Sequence, residues 1–130
     1  MMELKDKRKD AAILLITHDL AVVAETCDRV IVMYGGEIQE IATITDLFKN
    51  PLHPYTIALM NSIPHMERKT KRLQALKGMV PSILEMGDGC KFCSRFDPKE
   101  CPCLGTKENQ ELFEATPGHF VRCKKELINV

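Results

Sequence analysis

Several features that mark common protein classes are missing from this 130-residue chain. It has no tryptophan, and its 18 basic residues are balanced by 18 acidic ones. A dedicated nucleic-acid-binding protein usually carries a basic excess, so the balance argues against that class. No apolar run approaches the roughly 18 residues of a membrane-spanning helix. Because the opening MMELKDKRKD also lacks the apolar segment of a signal peptide, we expect an intracellular protein.

Charge is unevenly distributed along the chain. Residues 11–64 carry six acids and two bases, residues 65–77 carry five bases and one acid, and residues 78–130 are nearly neutral. The basic segment is typical of a solvated face, and its functional alternative is docking on a partner subunit or on anionic lipid. These shifts predict three parts: an α/β piece over residues 1–50, a helical and basic connector over residues 51–85, and a cysteine-rich, loop-rich tail over residues 86–130.

The first part has the pattern of an α/β fold. Residues 11–16 (AAILLI) form a continuous apolar run, which predicts a strand covered on both faces, as in a parallel sheet. Residues 20–27 have helical spacing, and residues 30–34 (VIVMY) predict a second buried strand. The first strand has no earlier parallel neighbour in the chain, so the piece is interpreted as the last part of a larger sheet.

Turn and cap signals continue this pattern. Gly35-Gly36 predicts a two-residue hairpin turn, because both glycines accept a positive φ. A short strand should follow over residues 37–42, with Ile38 and Ile41 partly buried. We then expect a short helix from Thr45 to near Asn50, and a second helix over residues 55–62 after Pro54.

His18 carries the first chemical signal. It lies in the polar triplet Thr17-His18-Asp19, directly after the first predicted strand. Ligands of open α/β sheets bind at the carboxyl ends of the strands. The imidazole there could donate a hydrogen bond to a phosphate oxygen and order an attacking water, or it could be a structural hydrogen-bonding residue.

Two motifs carry a family resemblance that covers essentially the whole chain. Residues 13–40 (ILLITHDLAVVAETCDRVIVMYGGEIQE) resemble the end of the nucleotide-binding subunit of ABC transporters, and residues 50–56 (NPLHPYT) resemble the extension of the oligopeptide/dipeptide and nickel importer branch. The resemblance implies the α/β C-terminal fragment of a P-loop nucleotide-binding domain. It also implies that His18 is the switch histidine, which contacts the γ-phosphate of ATP.

The same resemblance implies cofactors and partners for a longer parent protein. These are ATP and Mg²⁺, a second, homologous ATP-binding subunit, and transmembrane permease subunits at the inner face of the cell membrane. The chain itself lacks the G-x-x-x-x-G-K-[ST] phosphate loop (Walker A), a Leu-Ser-Gly-Gly-Gln signature and an apolar strand ending in Asp-Glu (Walker B). We therefore expect no ATPase activity in isolation, and interpret the chain as an excised piece or a truncated reading frame.

The tail contains five of the six cysteines. In a reducing compartment, clustered cysteines more often bind metal or do redox chemistry than form structural disulfides. Short-spaced pairs in loops can direct several thiolates to one tetrahedral zinc ion or one iron–sulfur cluster, with a disulfide or inert thiols as alternatives. Cys27 is alone on a predicted helix and is assigned to packing. The tail cysteines are Cys90, Cys93, Cys101, Cys103 and Cys123.

Resemblance adds a ligand set to this pattern. Members of the importer branch commonly end in G-C-x-F-x-x-R-C-P, a third cysteine and P-G-H-x-V-x-C, and some hold a [4Fe–4S] cluster. Residues 89–92 and 117–123 match, but Phe96 occupies the second cysteine position, so Cys93 or Cys101 would replace it. His119 is an alternative ligand to which the resemblance gives a structural role. The preferred ligands are Cys90, Cys93, Cys103 and Cys123, with Cys101 as a possible substitute.

Three functions follow from these observations. The first is the C-terminal portion of the ATP-binding subunit of a peptide importer, with a tail that stabilises or regulates the nucleotide-driven dimer. The second is a stand-alone metal-binding module that holds zinc or an iron–sulfur cluster. The third is a structural interaction domain with idle thiols.

Overall fold

A computed structural model of the chain describes residues 11–63, 79–86, 89–92, 95 and 110–123. The described elements are three helices, one 3₁₀ turn and four strands. In chain order they are α1 (Leu20–Thr26), β1 (Arg29–Tyr34), β2 (Glu37–Thr43), α2 (Ile44–Lys49), α3 (Pro54–Ser62), the 3₁₀ turn (Ile83–Glu85), β3 (Leu112–Thr116) and β4 (His119–Arg122).

The strands form one antiparallel sheet in the order β1-β2-β4-β3. Two hairpins, β1–β2 and β3–β4, meet where Glu40 pairs with Val121 and Ile41 pairs with Phe120. Arg122 reinforces this junction, since its Nε donates to the Ile38 carbonyl at 2.7 Å. A strand near the end of the chain therefore completes the sheet that begins near its start.

The β1–β2 hairpin has the predicted turn and one irregularity. Gly35 and Gly36 have φ values of +59° and +79°, the pair of positive angles that a type I′ turn requires. Val32 pairs with Glu40 and Met33 with Ile38, so Gln39 is an extra residue in β2. The bulge places Ile38 and Ile41 on the same face, and both are partly buried as expected.

Each of the three helices begins at a side-chain cap. The Asp19 side chain accepts from the Ala21 N–H at 2.9 Å, and Thr43 Oγ1 accepts from the Asp46 N–H at 3.1 Å. His53 Nδ1 accepts from the Tyr55 N–H at 3.0 Å, with Pro54 in the first helical turn. All three predicted helices are confirmed, each within about two residues of its expected start.

The sheet, α2, α3, the connector and the Cys90 loop contribute to two small hydrophobic clusters. In the first cluster, Val30, Tyr55, Leu59 and Met60 pack against the buried residues Val32, Ala42 and Leu47. In the second, Cys90, Phe113 and Ala115 pack against the buried residues Leu52, Val121 and Cys123. The second cluster thus combines residues from the connector, the loop at Cys90 and the final hairpin.

The expectation of a buried parallel strand over residues 11–16 is wrong for this chain. No regular element forms there, and the side chains of Leu14 and Ile16 are 83% and 90% exposed. The reason is that an apolar run becomes a buried strand only where neighbours cover it, and every strand pairing in the described residues is antiparallel and lies elsewhere. Similarly, β1 is buried on one face only, since Ile31 and Met33 are about half exposed.

The expectation of a loop-rich tail is also wrong in part. Residues 112–122 form a regular hairpin around Pro117-Gly118, and Gly118 has a φ of +76°. The basic segment over residues 65–77 lies outside the described residues. In the part of the chain that the structure describes, no helix combines the length and apolar character needed to cross a membrane.

Candidate functional site

A buried carboxylate lies where the sheet, the connector and the tail meet. Glu40, in the middle of β2, is 0% exposed. Its Oε1 accepts from the Leu52 N–H at 2.8 Å and its Oε2 accepts from the His53 N–H at 2.9 Å. His119 Nε2 lies 2.7 Å from Oε1. Because burying a carboxylate is costly unless its oxygens are hydrogen-bonded, these three donors make the position of Glu40 tolerable.

His119 reaches Glu40 through the turn that precedes β4. Gly118 adopts its positive φ there, and its N–H donates to Glu114 Oε1 at 2.7 Å. The imidazole is 2% exposed, and a carboxylate oxygen only accepts, so the proton lies on Nε2. The bond joins residues 79 positions apart in the chain. The final hairpin is therefore joined to β2 by this side-chain hydrogen bond in addition to the backbone pairing of β4 with β2.

The NPLHPYT segment is shaped to present two N–H groups to that carboxylate. Asn50 ends α2, and its N–H donates to the Asp46 carbonyl. Pro54 begins α3 and keeps His53 in extended backbone with a ψ of 135°, as expected for a residue before proline. Two consecutive N–H groups between the helices, those of Leu52 and His53, are thereby left for Glu40. The motif therefore has a structural role, since its backbone N–H groups between the two helices bind the buried carboxylate of Glu40.

An aromatic cluster flanks the acid on the side of the Cys90 loop. Phe92 is 1% exposed, and its ring centroid lies 5.1 Å from Tyr34, 4.9 Å from Tyr55 and 6.0 Å from His53. The Tyr34 hydroxyl and His53 Nε2 are buried among the described residues without a hydrogen-bond partner. Burial raises the pKa of Tyr55, the nearby Tyr34 raises it further, and Arg95 opposes both effects.

The structure brings together two of the predicted metal ligands. Cys123 is 6% exposed and belongs to the buried cluster against which Cys90 packs. Neither cysteine forms a disulfide. Within the described ranges, no three His, Cys, Asp or Glu side chains gather into a group able to hold a metal ion. The other predicted ligands, Cys93, Cys103 and the substitute Cys101, lie outside those ranges.

His18 and Cys27 lie at opposite ends of α1. The His18 side chain is exposed and directly precedes Asp19, whose side chain caps the helix. Cys27 ends the helix and is partly buried, but it belongs to neither hydrophobic cluster. Among the described residues, α1 contains no buried side chain, and the exposed His18 directly precedes this helix.

Comparison with known families identifies the family of the chain. The family model for the oligopeptide/dipeptide transporter, C-terminal region, matches residues 39–103, from the β2 bulge through the connector into the tail. The match covers half of the chain, and the chain belongs to this family. The resemblance inferred from the two sequence motifs is confirmed.

Relatives extend the similarity over the remaining residues. The chain is 47% identical over 136 aligned residues to the probable peptide ABC transporter ATP-binding protein y4tR of Sinorhizobium fredii, covering 100% of this chain and 39% of that protein. It is 46% identical to the oligopeptide transport ATP-binding protein AppD of Bacillus subtilis, covering 88% and 34%. For the dipeptide transport ATP-binding protein DppD of Haemophilus influenzae, the identity is 39%, covering 76% and 33%. The chain therefore spans less than two fifths of the length of these proteins.

Glu40 was not among the residues predicted to be functional. A signal for it exists in the sequence, because an acid inside a predicted strand needs hydrogen-bond donors wherever its side chain is buried. Its partner could not be found from local spacing, since the bulge at Gln39 decides which face Glu40 occupies. His119 was predicted as structural or as an alternative ligand, and the structure engages its Nε2 with Glu40.

Proposed function

We propose that this chain functions as the C-terminal part of the ATP-binding subunit of a peptide-importing ABC transporter. The similarity to peptide-transport ATP-binding proteins over the entire chain carries the proposal. In the complete subunit, the phosphate loop, the signature and the Walker B strand that bind ATP and Mg²⁺ lie outside this chain, and this chain contributes His18. The subunit pairs with a second ATP-binding subunit and docks on permease subunits at the cytoplasmic face of the membrane.

His18 acts in that subunit as the residue that contacts the γ-phosphate. Two observations support this role. The His18 side chain is exposed and therefore accessible to a ligand. The next residue, Asp19, fixes the local backbone because its side chain accepts from the Ala21 N–H at the start of α1. An imidazole N–H at this position donates to a phosphate oxygen and orients water.

The test uses a chimera in which this chain replaces the matching segment of Bacillus subtilis AppD. The chimera is produced in cells that lack AppD, and uptake of a labelled oligopeptide is measured. We expect uptake by the chimera, loss of uptake with His18→Ala, and normal uptake with Lys49→Ala, an exposed residue of α2. A chimera that assembles with the permease but imports nothing contradicts the proposed function, and uptake by the His18→Ala form contradicts the role of His18.

We further propose that the tail is stapled by a thiolate-bound group, a [4Fe–4S] cluster or alternatively Zn²⁺. Cys90 and Cys123 fit such a group because they are close in the fold although they are 33 positions apart in the chain. Cys123 belongs to a buried cluster, and Cys90 packs against the same cluster. Cys93 and Cys103 would supply the other ligands, with Cys101 as a substitute. When bound, the group supplies a cross-link between the Cys90 loop and the end of β4, where the apolar core is small.

Metal analysis of protein purified without air tests this second proposal. We expect near-stoichiometric zinc, or iron and sulfide with a broad visible absorbance. Cys123→Ser should lose the bound metal, while Cys27→Ser should keep it because Cys27 is the C-cap of α1 and belongs to neither hydrophobic cluster. Wild-type protein that contains neither metal after anaerobic reconstitution contradicts the proposal, as does full metal retention in the Cys123→Ser variant.

A further inference from the structure

We infer that Glu40 is the positioning residue of the Cys90/Cys123 pair, holding both thiols in place from a single carboxylate. The inference deepens the proposed tail function and rests on it only for the identity of the bound group. The geometry connects Glu40 to each cysteine through separate contacts, and these can be broken one at a time.

The connection to Cys123 runs along β4. Alternate residues of a strand point to the same face, so His119, Val121 and Cys123 share one face, and they are 2%, 0% and 6% exposed. Val121 is directly opposite Glu40 in the ladder, and the His119 imidazole is bound to Glu40 Oε1 at 2.7 Å. The carboxylate therefore fixes the strand that leads directly into Cys123.

The connection to Cys90 runs through the connector. Glu40 Oε2 accepts from the His53 N–H at 2.9 Å, and the His53 ring packs 6.0 Å from the ring of Phe92. Phe92 is two positions after Cys90 and is 1% exposed, so it anchors the loop that carries this thiol. Leu52, held to Oε1 by its N–H, belongs to the cluster against which Cys90 packs.

Glutamine cannot replace this carboxylate. Glu40 accepts from three donors with two oxygens, whereas a glutamine of the same size has one accepting oxygen and an NH₂ group. In either amide orientation, the NH₂ group faces at least one of these donors. Local opening of the loop, of β4 or of both should follow, because a buried donor without an acceptor is destabilising.

The experiment measures thiol accessibility in the full 130-residue chain, reduced and metal-free in the presence of a chelator. Iodoacetamide alkylation rates of Cys90, Cys123 and Cys27 are determined by peptide mass spectrometry below the unfolding transition. Cys27 is the internal reference because it lies outside both clusters. Glu114→Gln is the matched control, since this exposed acid of β3 accepts from the backbone of the same hairpin.

Glu40→Gln should raise the alkylation rates of both Cys90 and Cys123 by at least about tenfold, leaving Cys27 unchanged. His119→Phe keeps the ring but has no N–H, so it removes only one connection and should raise the rate at Cys123 more than at Cys90. Glu114→Gln should match the wild type. Wild-type rates in Glu40→Gln overturn the inference. An equal rise at both thiols in His119→Phe also overturns it, because a general loosening of the fold would produce that result. This comparison decides the matter even if Glu40→Gln does not fold.

Metal content measured on separate samples of the same variants, purified without air and without chelator, separates this inference from the tail proposal. If the variants show the expected alkylation rates but the wild-type protein binds no metal, the metal proposal is contradicted and the positioning role is supported. Metal bound at the wild-type level in Glu40→Gln, together with wild-type alkylation rates, overturns the positioning role and supports the metal proposal.

Discussion

Replacing Glu40 by glutamine should destabilise the fold far more than the same change at an exposed acid. The carboxylate is fully buried and accepts from three donors, at 2.7, 2.8 and 2.9 Å. Hydrogen bonds to charged groups contribute about 1.5–3 kcal/mol each, and removing one partner of a buried charged pair costs about 3–5 kcal/mol. Because glutamine keeps one accepting oxygen, we expect a loss of about 3 kcal/mol in the free energy of unfolding.

Urea denaturation followed by far-UV circular dichroism measures this loss. With a denaturant slope near 2 kcal/mol per molar, the midpoint should fall by about 1.5 M. Glu114→Gln should change the free energy of unfolding by no more than about 0.5 kcal/mol, as surface substitutions usually do. In a double-mutant cycle, Glu40→Gln and His119→Phe should couple by about 1 kcal/mol or more. Equal stabilities of Glu40→Gln and Glu114→Gln would refute the reasoning.

Two further predictions concern the neighbouring packing. A Cβ on Gly35 would lie 2.7 Å from Met86 Sδ, whereas one on Gly36 would meet nothing within 4 Å, although both glycines have positive φ. Thermal unfolding should therefore show a larger loss of stability for Gly35→Ala than for Gly36→Ala. The loss for Gly36→Ala is the backbone strain of about 1–2 kcal/mol. Equal losses of stability would mean that the Met86 segment does not pack on the turn. Burial raises the pKa of Tyr55, so its stabilising effect is complete below the unfolded pKa near 10 and declines as the pH rises through the folded pKa. Tyr55→Phe should reduce the fall in unfolding free energy above pH 10, and an unchanged slope would contradict the assignment.

Local structure could be predicted from the sequence because its causes are local. The helices predicted from residue 20, from Thr45 and after Pro54 begin within one residue of those positions. Gly35-Gly36 determines a turn by its own backbone freedom. The motifs at residues 13–40 and 50–56 identified the family correctly because they are contiguous.

The errors concern partners that are distant in sequence. The apolar run at residues 11–16 indicates a strand that must be buried by neighbouring elements. The run itself cannot show whether this chain contains those elements. The contact between Glu40 and His119 depends on the bulge at Gln39 and on the pairing of β2 with β4, neither of which local spacing reveals. The final hairpin has a turn signal in Pro117-Gly118, but the neighbouring cysteines equally favour a metal-binding loop, so the sequence alone does not predict its strands.

Amide hydrogen exchange at Leu52 and His53 tests most directly whether Glu40 joins the connector to the sheet and the tail. In the wild type, both N–H groups are bound to the buried carboxylate and should exchange slowly. In Glu40→Gln, at least one of them should exchange at least about tenfold faster, with the amides of β1 still protected. Fast exchange of both groups in the wild type, or unchanged protection in Glu40→Gln, would contradict the account.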